Sequence, residues 1–149
     1  VIAADVWPEA KSLAASAQHA EPKDLARTYD HLAVPLDQWK EGTYSHLFVW
    51  TAPEAGGKAD EARDVTPGSV TDVPDSRGTT MADIQIAPDG KTLAFAAVTA
   101  GRTTAWQIAF DTFVVALDGT AKPTDITVNS LANNIGRCSR PMARRSRCG

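Results

Sequence analysis

The chain has 149 residues, 43% of them hydrophobic and 22% charged, with a net charge of −3. That is the size of one ordinary domain with enough apolar material for a core, which excludes a disordered polypeptide. No apolar run approaches the ~20 residues that cross a bilayer, which excludes a transmembrane helix.

The start, Val1-Ile2-Ala3-Ala4-Asp5, has no initiator Met and no basic stretch before an apolar run. No secretory signal is read there, and the chain is expected to have been processed or cut from something longer. Residues 9–28 are Ala-rich and include Leu13, Ala14, Ala17 and Leu25. They predict a short helix ended or divided by Pro22, or else an irregular arm, so residues 1–28 are set apart as an N-terminal arm.

From Tyr29 onward the pattern changes to alternation and turn chemistry. His46-Leu47-Phe48-Val49-Trp50 predicts a strand, preceded by the turn signal Glu41-Gly42. Residues 53–80 are rich in Pro, Gly, Asp, Ser and Thr and predict a loop, with a short strand at Arg63-Asp64-Val65-Thr66. Asp83–Ala87 and Thr92–Val98 are two alternating runs joined by Pro88-Asp89-Gly90-Lys91, which predicts a hairpin. Proline presets φ at the first turn position, and glycine accepts the positive φ that follows. A strand over Phe110–Leu117 is stopped by Asp118-Gly119, and Pro123–Thr127 predicts one more.

The two halves echo each other. Leu47–Trp50 followed by Asp64-Val65-Thr66 parallels Thr112–Val115 followed by Asp125-Ile126-Thr127, at offsets of 65 and 61 residues. Short strands recurring with turn signals predict an all-β chain. The repeat length suits a partial β-propeller over residues 29–136, with about two blades of short antiparallel strands.

The tail departs from this pattern. Residues 137–149 hold five of the fifteen basic residues and no acid, which leaves 1–136 with ten basic against eighteen acidic. An acidic body repels nucleic acid, so no nucleic-acid partner is expected of it. Both cysteines, Cys138 and Cys148, also lie in the tail. A basic arm for nucleic acid or an anionic surface, acting through the five tail Arg, is one reading of the tail. A metal or disulfide element is another, but nine residues between two Cys match no zinc spacing, and no His is near.

A third reading is translation in the wrong frame. Gly136 to Gly149 can be encoded so that a frame starting on the last base of the Gly136 codon reads Pro-Val-Phe-Ser-Pro-Asp-Gly-Glu-Thr-Leu-Ala-Val-Arg. That is a second copy of the hairpin from Ile86 to Phe95, the motif the repeat would place next. The out-of-frame reading is therefore favoured for 137–149.

Three stretches resemble the TolB-like propeller blades of the prolyl oligopeptidase family, in its dipeptidyl aminopeptidase/acylaminoacyl-peptidase branch. One is Tyr29-Asp30-His31-Leu32 with Trp39-Lys40-Glu41-Gly42-Thr43-Tyr44-Ser45-His46-Leu47-Phe48-Val49. The second is Ala87-Pro88-Asp89-Gly90-Lys91-Thr92-Leu93-Ala94-Phe95. The third is Gly101-Arg102-Thr103-Thr104-Ala105-Trp106, leading into Phe110-Asp111-Thr112-Phe113-Val114-Val115-Ala116-Leu117-Asp118-Gly119. The first departs from the family at Val34–Gln38, where a His-Trp pair is usual, and at Tyr44, where Arg is usual.

The resemblance implies a parent enzyme whose N-terminal propeller filters peptide substrates for a C-terminal α/β-hydrolase domain. That domain would carry a Ser-Asp-His triad on a Gly-x-Ser-x-Gly elbow. No such elbow occurs in these residues. The chain itself is therefore expected to be non-catalytic, with no catalytic, cofactor or metal residues and no membrane partner. Peptide substrate would be met through the parent's catalytic domain. Relatives leave periplasm and cytoplasm equally open. A stand-alone TolB-like protein-binding module is the alternative. Two blades would leave strand edges unpaired, which predicts self-association through them.

Residues with chemical potential also have ordinary readings. His19, Asp30-His31 and Ser45-His46 supply the letters of a triad, but adjacent strand residues point to opposite faces, so structural histidines are expected. Asp72, Asp75, Asp83 and Asp89 stand in turn contexts where Asp caps its own backbone. Trp39, Trp50 and Trp106 are read as packing residues, with Trp106 a minor candidate for reaching substrate. Gly56-Gly57 is too little for a phosphate loop.

Overall fold

The computed structural model describes residues 1–18, 42–53, 61–75, 77–99, 108–128, 130 and 134. Among them the chain is almost entirely β, in two antiparallel sheets. The first sheet has the order β1-β2-β3, formed by Ile2–Val6, Tyr44–Val49 and Arg63–Asp64. The second has the order β4-β5-β6-β7, formed by Gln85–Ile86, Thr92–Val98, Phe110–Ala116 and Thr124–Asp125. The one α-helix among the described residues is α1, Leu13–Ala17, whose N-cap Ser12 accepts a hydrogen bond from the Ala15 amide at 3.1 Å.

β1 departs from the expected arm. Residues 2–6 are a full strand, with Ile2 opposite Phe48 and Val6 opposite Tyr44. Apolar residues at 2, 4 and 6 alternate with Ala3 and Asp5, and Val6 is buried. Of the predicted helix the described residues show Leu13–Ala17, and residues 19–28 lie outside them. The hairpin at Pro88-Asp89-Gly90-Lys91 is present. Gly90 adopts φ +67°, the Asp89 carboxylate accepts from the Lys91 amide, and the Ala87 amide donates to Thr92 O.

The core lies between the two sheets. Leu47, Val65 and Val73 pack against Leu93, Phe95, Ala97 and Val115, all nearly or fully buried. Phe95 and Phe113, paired across β5 and β6, stack with ring centroids 5.7 Å apart. Burying each large apolar side chain contributes about 1.5–3 kcal/mol, so this cluster dominates the local stability. One polar contact also joins the sheets: the Arg63 guanidinium donates to the Asp118 carbonyl at the β6–β7 turn. Gly119 turns the chain there at φ +71°, and a Cβ at that position would lie 2.6 Å from Arg63 Cδ.

Candidate functional site

The two halves share one hydrogen-bonded unit. Phe48 pairs with Asp64 in the first sheet and Phe113 with Asp125 in the second, the offsets of 65 and 61 read from sequence. Beyond each short strand the Asp-x-Thr segment closes on itself. Asp64 Oδ1 accepts from the Thr66 amide at 2.8 Å, and Asp125 Oδ1 accepts from the Thr127 amide at 2.7 Å. The threonine hydroxyls in turn accept from the central strands, Leu47 N–H to Thr66 Oγ1 at 3.0 Å and Thr112 N–H to Thr127 Oγ1 at 2.9 Å.

Backbone bonds extend the copy. The Val65 amide donates to Leu47 O, and the Ile126 amide to Thr112 O. The Val73 amide donates to Ser45 O, and the Asn134 amide to Phe110 O. A side-chain hydroxyl supplies the acceptor where the strand ends. It satisfies a strand N–H that would otherwise be buried unpaired at a cost of about 1–3 kcal/mol.

His46 sits on this unit in the first sheet and is fully buried. Its Nδ1 lies 2.7 Å from Asp64 Oδ2, and its Nε2 lies 2.9 Å from the Ser69 carbonyl oxygen. Both partners are acceptors, an arrangement that favours a proton on each ring nitrogen. Burial opposes the resulting charge. The hydrogen bonds to Asp64 and to the Ser69 carbonyl, with the charges of Asp64 and Asp72, outweigh it and raise the His46 pKa above its ordinary value. Asp72 closes the loop by accepting from the Ser45 amide at 2.8 Å.

This arrangement has the geometry of a clamp that ties β2 to the loop after β3. With both nitrogens committed, the imidazole has none free to take a proton from a nucleophile. Ser45 is on the opposite face of β2, where its hydroxyl donates to Val73 O at 3.3 Å. The structural reading of Ser45 and His46 therefore agrees with their contacts, while His19, Asp30 and His31 lie outside the described residues. At the equivalent of His46 the second sheet has Asp111. It accepts from Thr99 Oγ1 at 2.6 Å, from Thr127 Oγ1 at 3.1 Å and from Asn134 Nδ2 at 3.3 Å.

Three of the four turn aspartates cap locally. Asp75 accepts from the Arg77 amide and guanidinium, Asp83 from the Thr80 amide, and Asp89 from the Lys91 amide. Asp72 reaches a strand 27 residues away, accepting from the Ser45 amide. Trp50 is 44% exposed and not a core residue, since it follows the last residue of β2. Trp39, Trp106 and Gly56-Gly57 lie outside the described residues. Sequence reasoning passed over Trp7, whose ring fills the space where a Cβ on Gly42 would fall, 2.8 Å from Cζ3.

Among the described residues, no group of three or more His, Cys, Asp or Glu is placed to hold a metal ion. No helix among them is long and apolar enough to cross a membrane. No family model matches the chain, and no curated protein or solved structure matches it significantly.

Proposed function

We propose that this chain is a non-catalytic, partial TolB-like β-propeller belonging to a serine peptidase of the prolyl oligopeptidase family. Its two sheets are two blades, the first with three strands here and the second with four. One observation supports the reading above the rest. The same strand pairing and Asp-x-Thr clamp recur at the sequence offsets, the first copy paired to a Ser45-His46-Leu47-Phe48-Val49 segment similar to the family's. The role is to filter and orient peptide substrate for a catalytic domain elsewhere in the parent, where a Ser-Asp-His triad performs acyl transfer.

Resequencing the coding DNA from the Ala132 codon tests this. The expected result is an open shifted frame that reads Pro-Val-Phe-Ser-Pro-Asp-Gly and later reaches a Gly-x-Ser-x-Gly elbow. A genuine stop after Gly149, with the shifted frame closing at once, overturns it. The basic tail would then be real, and a stand-alone TolB-like binding module would take its place.

A further inference from the structure

After β3 the chain leaves β2 and then returns to it. It is held at Leu47, through the Val65 amide and the Thr66 hydroxyl, and again at Ser45. There the Ser45 amide donates to Asp72 Oδ1, and the Ser45 carbonyl accepts from the Val73 amide at 2.8 Å. Between these anchors residues 67–71 form an excursion in which Pro67, Gly68 and Val70 are exposed. Ser69 is half-buried, and its carbonyl oxygen meets the fully buried His46 at Nε2. The second sheet has the same turn without this clasp. The Ser69 amide donates to Thr66 O and the Ser130 amide to Thr127 O, but Asp111 stands in the place of His46.

With a proton on each ring nitrogen, both His46 contacts are hydrogen bonds, and they are unequal. Nδ1 faces the Asp64 carboxylate at 2.7 Å, while Nε2 faces an uncharged carbonyl at 2.9 Å. A neutral imidazole has a single N–H. Keeping it on Nδ1 preserves the charge-assisted bond, whereas stripping Nδ1 would set a lone pair against an anion. The proton lost is therefore the one on Nε2, which leaves two acceptors facing each other at a buried ring. Moving the excursion relieves that contact and sacrifices little buried surface. Among the described residues, the titratable groups on this side of the sheet are Asp64 from β3, Asp72 where the chain returns, and Tyr44 two residues along β2. β1 presents Ile2, Ala4 and Val6 there, while Asp5 and Arg63 lie on the opposite face.

The geometry points to a proton-operated clasp: loss of the Nε2 proton of His46 releases residues 67–71 from β2 while the anchors at Leu47 and Ser45 hold. Neither the propeller nor the peptidase reading enters. The release is confined to one segment, which separates it from a general loss of stability.

Amide hydrogen exchange and ring 15N NMR on the full chain, from about pH 5.5 to about pH 9, test the clasp. The folded ring has its pKa raised above 6.5. Protection of the Ser69 amide should therefore be level below pH 6.5, fall about tenfold per pH unit above it until the folded pKa is passed, and then level again. The Ser130 amide should stay level throughout, and Nε2 should be the ring nitrogen that ends without a proton. Equal falls at Ser69 and Ser130 overturn the inference, since the whole chain would then be responding. So does a ring that loses the Nδ1 proton, one that keeps both protons throughout, or one that titrates with Ser69 unmoved. His46→Gln should flatten the Ser69 profile, and a slope that survives it overturns the role given to His46. Should that variant not fold, the unaltered chain decides by the match between the Ser69 profile and the ring titration, and a mismatch overturns the clasp.

Discussion

The first and second sheets run the same hydrogen-bonding scheme in different surroundings. In the first, the Asp64-Val65-Thr66 segment lies under a neighbouring sheet, and Val65 and Thr66 are buried. In the second, Asp125-Ile126-Thr127 makes the same bonds with Ile126 in solvent. The shared part is the local closure of a short edge strand, which needs only Asp, Thr and a register. The differing part is what each face meets and what braces the loop: the His46 imidazole in one case, the Asp111 carboxylate in the other. Local polar chemistry thus specifies the unit, and burial is a property of where the unit stands in the array.

The comparison can be broken first at its braces. His46→Ala removes a buried ring, takes away the contacts of Asp64 Oδ2 and the Ser69 carbonyl with it, and opens a cavity. A loss of about 3–5 kcal/mol in urea unfolding is expected. Asp111→Ala should cost less, about 1–3 kcal/mol, because its donors are hydroxyl and amide groups nearer solvent. Next come the faces. Val65→Ala should cost about 2 kcal/mol and Ile126→Ala within about 0.5 kcal/mol, the difference measuring the cover that stands over Val65 and not over Ile126.

The clamps themselves should respond alike. Thr66→Val and Thr127→Val each remove the acceptor for a central-strand N–H, at about 1–3 kcal/mol apiece by the same assay. A large inequality between them would mean that the two segments are not one unit.

Stability should also depend on pH. Because the folded pKa of His46 is raised above 6.5, the folded chain holds the proton more tightly than the unfolded one. That stabilisation is fully present below pH 6.5 and is lost as pH rises through the folded pKa. Unfolding titrations should therefore show stability falling across that window, and His46→Gln should flatten the slope.

Much of this was legible in the sequence, and the exceptions have physical causes. The hairpin was readable because Pro88, Asp89 and Gly90 each meet a specific φ or hydrogen-bond demand of the turn. β6 was readable because Phe110–Ala116 is a run of β-formers, and the 65- and 61-residue offsets were readable because the clamp needs fixed residue types. β1 was not, because Ile2-Ala3-Ala4-Asp5-Val6 carries little apolar bulk. Its strand character comes from pairing with β2, a partner some forty residues away in sequence. The His46 clamp was half legible: the histidine was expected to be structural, but only the fold brings Asp64, Ser69 and Asp72 around it. The bond from the Ser45 amide to Asp72 was not legible for the same reason, since a long-range contact has no local signature.

Native-state hydrogen exchange by NMR tests the central claim, one β unit repeated twice, most directly. The account predicts slow exchange at both members of each pair of equivalent amides, Leu47 and Thr112, then Val65 and Ile126. Ile126 is the sharpest case, with a protected amide beneath a solvent-exposed side chain. Exchange at free-peptide rates for Thr112 and Ile126, with Leu47 and Val65 protected, would contradict it and reduce the second segment to a loop that only resembles the first.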